Sequence, residues 1–154
     1  MRIFTLFIFL LIFAGLAVPA HAFLGLFGKS IESVTAENGL VTLDISKFSN
    51  GEARHYVYRE GGALIRFFIV KDAQGVVRAA LDACDVCWRE NKGYKLQNGA
   101  MLCVNCGQQF ALSRIGEVRG GCNPHPIAFT SEGGSFTITT GELSAGAKYF
   151  PEKK

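Results

Sequence analysis

A chain of 154 residues with a net charge of +3 is the length of one domain and carries neither a basic stripe nor an acidic tail. That balance excludes a nucleic-acid grip built on clustered Lys and Arg, and it excludes an acidic cation buffer. With five cysteines in one chain, sulfur chemistry is the first thing to explain.

The opening MRIFTLFIFLLIFAGLAVPAHA reads as an export signal over residues 1–22. Arg2 is the basic start, an apolar run follows from Ile3, and Ala20-His21-Ala22 is an A-x-A cleavage pattern. The competing reading is a retained anchor, since residues 3–20 reach the lower edge of a membrane span. Removing 22 residues leaves 132, with net charge +2 once Arg2 is gone. Residues 23–154 then form a single domain, soluble or peripherally attached, with enough chain for a core that needs no cross-links. FLGLFG, next after the cleavage pattern, is either a segment that dips into a membrane surface or an unstructured apolar start.

The elements that follow are mostly strands. GLVTLDISKF alternates through Leu40, Thr42, Leu43 and Ile45, the pattern of a half-buried strand. ARHYVYREGGALIRFFIVKDAQGVVRAALDAC reads as successive strands, with turns at Gly61-Gly62 and at residues 72–75. A short helix fits around residues 85–91. Asn98-Gly99 predicts a tight turn that pairs residues 94–96 with 101–103. GSFTITTGEL is a further alternating strand, while TSEGG and SAGAKYF read as turns. The expected fold is mainly β: a small antiparallel barrel or sandwich with a Cys-rich, two-knuckle insertion at one end.

That insertion, DACDVCWRENKGYKLQNGAMLCVNCGQQF, holds Cys84/Cys87 and Cys103/Cys106, two C-x2-C pairs with 15 residues between them. Each pair puts two sulfurs on one tight turn, and two pairs supply four thiolates to one tetrahedral centre. The spacing lies in the range of zinc sites, and four thiolates suit an iron–sulfur cluster equally well. Gly107, directly after Cys106, permits the positive φ that turns backbone N–H groups toward sulfur. Trp88 holds the same place after Cys87, as a shield from water or as ordinary core packing. The predicted hairpin would bring both turns to one end.

In an oxidising compartment the same four cysteines could instead form two disulfides or exchange electrons as dithiols, leaving Cys122 over. An odd cysteine is easier to place in a metal protein, as a fifth or exchangeable ligand. Cys122 sits in RGGCNPHP, three residues before His125, a Cys/His chelating distance; His125 also reads as a plain surface histidine. His55 alternates with Tyr56 on a strand and reads as structural. Met101 could serve a soft copper(I) site but fits core packing better. There is no C-x-x-C-H haem motif, nucleophile elbow, phosphate loop or carboxylate pair, and no βαβ context for a thioredoxin-like dithiol.

RFFIVKDAQGVVRAALDACDVCW, KGY, LCVNCGQQF and GGCNPHPI, in that order, resemble the FtrD-like family of membrane iron–sulfur-containing proteins found near bacterial iron-permease systems. The resemblance spans residues 41–150. It implies an envelope protein, periplasmic or attached to the inner membrane, with iron–sulfur or another metal bound at Cys84, Cys87, Cys103, Cys106 and Cys122. Implied partners are envelope iron-transport or redox proteins. Many relatives carry several membrane helices ahead of this domain, whereas this chain has one apolar segment. The expected function is non-enzymatic electron transfer or metal handling in iron uptake. A periplasmic thiol–disulfide protein and a structural zinc-binding β-domain that docks partners are the alternatives, and a zinc or copper ion is the alternative to an iron–sulfur cluster.

Overall fold

The computed structural model describes residues 30–151; the expected export signal and FLGLFG lie outside the described residues. Ten strands occur among these: β1 (Ile31–Val34), β2 (Leu40–Asp44), β3 (Ala53–Glu60), β4 (Ala63–Lys71), β5 (Val77–Leu81), β6 (Tyr94–Gln97), β7 (Ala100–Cys103), β8 (Gln109–Ala111), β9 (Thr130–Glu132) and β10 (Ser135–Thr139). One α-helix, α1 (Thr140–Ala145), follows β10. The strands form three sheets in the orders β1-β3-β4-β5, β2-β10-β9 and β6-β7-β8, antiparallel throughout except for the parallel pair β1 and β3. The fold is mainly β as expected, and no sheet closes into a barrel.

β4 explains the layering. Its sequence ALIRFFIVK shows an almost unbroken apolar run, the mark of a strand covered on both faces. Ile65, Phe67 and Ile69 point into a first core with Val41, Phe136, Ile138 and Leu143. Phe68 and Val70 point the opposite way, into a second core with Tyr94, Met101, Cys103, Leu112 and Ile115. The β1-β3-β4-β5 sheet is therefore the middle layer, with β2-β10-β9 on one side and the cysteine-bearing sheet on the other.

The turns at Gly61-Gly62 and at residues 72–75 form as expected; in the second, the Asp72 carboxylate accepts from the N–H groups of Gln74 and Val76 at 3.0 and 2.9 Å. β6 and β7 pair across Asn98-Gly99, with Tyr94 opposite Cys103 and Leu96 opposite Met101. Both turn residues have positive φ, +52° and +73°, which the two-residue turn demands and which Asn-Gly supplies at low strain. Three short elements differ from expectation. The GSFTITTGEL strand stops at Thr139, because the Thr139 hydroxyl accepts from the N–H of Glu142 at 3.1 Å and caps α1. Residues 130–132 of TSEGG are strand β9, hydrogen-bonded to β10. The expected helix around residues 85–91 is one 3-10 turn, Trp88–Glu90.

Candidate metal centre

Three segments converge on the sulfurs. The first leaves the middle sheet at the end of β5. The N–H of Asp82 still donates to Arg66 O at 2.9 Å, extending the ladder by one residue. Cys84 follows, buried, and its Sγ accepts from the N–H of Cys87 at 3.1 Å. The second segment is the end of β7. Cys103 N donates to Gln108 O and Gly107 N donates to Cys103 O, both at 2.9 Å, and Gly107 has φ +78° as its place after Cys106 requires. The Cys103 sulfur accepts from the backbone at Asn105 and Cys106, and the Cys106 sulfur from Gln108. The third segment carries Cys122. It is fixed to β5 by Leu81 N to His125 O at 2.9 Å and His125 N to Ala83 O at 3.0 Å.

The five sulfurs fall into two groups of three that share Cys87. Cys84, Cys87 and Cys122 lie within 4.8 Å of one another, as do Cys87, Cys103 and Cys106. Cys122 Sγ is 3.9 Å from Cys87 Sγ and 3.7 Å from Cys106 Sγ, so it joins the groups rather than standing apart. All five are free thiols. Cys84 and Cys103 are buried, Cys87 and Cys122 half-buried, and Cys106 exposed, so the nest runs from the interior to the surface. A crevice lined by Arg66, Trp88, Asn91 and Asn105 runs down to Cys84, Cys87 and Cys103.

Burial pushes the Cys103 thiol up to about 11 and the Cys122 thiol up to about 12. At Cys106 the hydrogen bond from the Gln108 backbone dominates and holds the thiol below its ordinary value. In the metal-free protein at neutral pH, iodoacetamide should therefore label Cys106 well before Cys103 and Cys122, as peptide mapping by mass spectrometry would read. Because Cys103 and Cys122 stay protonated there, metal must displace their protons, and affinity should fall as pH falls. Labelling of Cys106 no faster than Cys122 would contradict this electrostatic order.

Several supporting residues escape the sequence reading. The buried Asp82 carboxylate accepts from the N–H of Tyr94 at 2.7 Å and lies 3.6 Å from Arg66 Nε. Arg66 in turn donates to the backbone and side-chain oxygens of Asn91, at the end of the first cysteine turn. This chain of contacts ties β4, β5, the first cysteine turn and β6 together. The Tyr94 hydroxyl donates to Cys122 O at 2.5 Å and also meets the Cys84 sulfur, linking the third segment to the first.

His125 belongs to neither sulfur group. Its Nε2 accepts from Arg119 at 2.6 Å, and its Nδ1 faces the Tyr149 hydroxyl at 3.0 Å and Asp85 at 3.7 Å. Burial, then the Arg119 charge, lowers its pKa from the ordinary histidine value, so the ring is neutral at pH 7. Trp88 packs against the first core and meets Tyr149 edge-on, 6.3 Å between centroids. Met101 is fully buried in the second core, and His55 packs against Phe68.

The donor set is thiol alone in both groups, with backbone N–H groups directed at Cys84, Cys103 and Cys106. That chemistry fits a thiophilic metal centre, an iron–sulfur group included. A family model described as "Membrane iron-sulfur containing protein FtrD-like" matches residues 48–150, a span that includes all five cysteines. No curated protein and no solved structure matches the chain. Among the described residues, no helix is long and apolar enough to cross a membrane.

Proposed function

The chain belongs to the FtrD-like family, and on that premise we propose that it is a metal-binding protein of the bacterial envelope that transfers electrons or handles metal for iron uptake. The observation that carries this reading is the convergence of five thiols from three segments on Cys87. Cys84, Cys87, Cys103 and Cys106 would hold an iron–sulfur group, with Cys122 as the fifth thiol beside it. Bound there, the group would supply one-electron chemistry.

The chain's own residues define its setting. N–H donors to Cys84, Cys103 and Cys106 offset thiolate charge, and each such bond favours the ionised sulfur. Buried Cys84 and Cys103 face away from water, while exposed Cys106 gives a partner protein one edge to approach. His125, with both ring nitrogens engaged, stays outside the ligand set in this reading. The natural partners are exported redox or iron-transport proteins. The protein itself is periplasmic, soluble or attached to the inner membrane, and acts without turning over a substrate.

The test is metal and acid-labile sulfide analysis with a visible spectrum, on the full chain exported by a bacterium and purified without oxygen. Iron with a charge-transfer band is the expected result, and Cys84→Ser and Cys103→Ser should each lose most of that iron. Metal-free protein with the paired cysteines oxidised would overturn the reading in favour of a dithiol protein. A colourless protein with one zinc would reduce the centre to a structural one.

A further inference from the structure

Five thiols are one more than a tetrahedral ion uses. They are also one fewer than two separate three-coordinate ions would need, so a pair of such ions must share one sulfur. The geometry supplies that shared sulfur, because Cys87 is the member common to both groups of three.

We propose that the metal-free nest binds two thiophilic monovalent ions together, copper(I) being the class, with the Cys87 thiolate bridging them. Cys84, Cys87 and Cys122 hold one ion, and Cys87, Cys103 and Cys106 hold the other. This rests on the reading of the cysteines as metal ligands, and extends it to the number and charge of the ions.

Spacing favours it. Three sulfurs in a plane around an ion, at a metal–sulfur bond of about 2.3 Å, stand ~4 Å apart. Cys87 and Cys122 are 3.9 Å apart, and the sulfurs of each group all lie within 4.8 Å of one another. The 3.7 Å contact between Cys106 and Cys122 places the two groups side by side. Ligand type favours it as well: thiolates select copper(I), and no carboxylate or imidazole in either group offers a divalent ion a harder donor. Binding both ions releases the protons of the thiols that were not already ionised. The product is an anionic unit of five thiolates and two univalent cations. The Arg66 guanidinium, which lines the crevice leading to Cys84, Cys87 and Cys103, is a positive charge on that path.

The experiment is an anaerobic titration of the metal-free full chain with copper(I) delivered from a competing chelator, read by native mass spectrometry. Two ions per wild-type chain are expected. Cys84→Ser and Cys106→Ser should each keep one tightly held ion, whereas Cys87→Ser should weaken both by tenfold or more. Circular dichroism establishes that each variant is folded, and the wild-type stoichiometry stands independently of the variants. One copper per wild-type chain would overturn the bridged pair, as would a Cys87→Ser variant no weaker than Cys106→Ser. If iron loads normally while only one copper binds, this inference alone fails. If neither iron, zinc nor copper binds, the metal-protein reading fails with it.

Discussion

Gly93→Ala should destabilise the protein by about 3–5 kcal/mol and abolish stable metal loading. A Cβ at residue 93 would lie 2.5 Å from both carboxylate oxygens of Asp82 and 2.6 Å from its carboxyl carbon. Asp82 cannot retreat cheaply. It is buried, bonded to Tyr94 N at 2.7 Å and paired with Arg66 at 3.6 Å. Relieving the clash means separating a buried charge from its partners, and the left-handed φ of +64° adds ~1 kcal/mol for any residue with a Cβ. Gly99→Ala is the control. It has φ +73° but nothing within 4 Å, so it should cost only ~1 kcal/mol. Urea denaturation and metal stoichiometry of the two variants decide the matter. A Gly93→Ala protein as stable as Gly99→Ala would show that the Asp82 clamp has no hold on the cysteine turns.

The second large effect separates the two faces of β4. Phe67 and Phe68 are adjacent and both fully buried. Phe67→Ala and Phe68→Ala should each cost about 3–5 kcal/mol in chemical denaturation, the usual loss for a buried aromatic. Their effects on metal should differ. Phe67 stacks on Tyr56 in the first core, with centroids 5.3 Å apart. Phe68 sits against Tyr94 at 5.9 Å, in the core that contains Cys84 and Cys103. Phe68→Ala should therefore weaken metal binding as measured by chelator competition, and Phe67→Ala should leave it near wild type. Equal losses of affinity would mean that the layers are not independent.

Much of this was legible in the sequence, for identifiable reasons. Strands β2 to β5 announce themselves because apolar side chains and glycine turns mark their bounds. Asn98-Gly99 specifies a hairpin locally, and that hairpin sets the second cysteine turn against the end of β5. What was not legible depends on contacts between distant residues. The two-sided burial of β4 follows from which sheets cover it, and a run such as RFFIV cannot say so. The position of Cys122 depends on Leu81 and Ala83 pairing with His125 across some forty residues of chain. Asp82 looks like any solvated aspartate in DAC, and only the folded contact with Gly93 and Tyr94 gives it a role. The end of β10 was misread because Thr139 and Glu142 extend an alternating pattern while they also cap a helix.

None of the five cysteines belongs to the first core, which is built from β2, β10, α1 and one face of the middle sheet. Small zinc domains collapse without their ion because the ion is their core. Here a cysteine-free core stands beside the metal nest, so the metal-free chain should remain folded, as circular dichroism of the metal-free protein would read. Assembly and filling should then be separate events in time, the chain folding first, taking up metal later, and giving it up and being refilled without passing through an unfolded state.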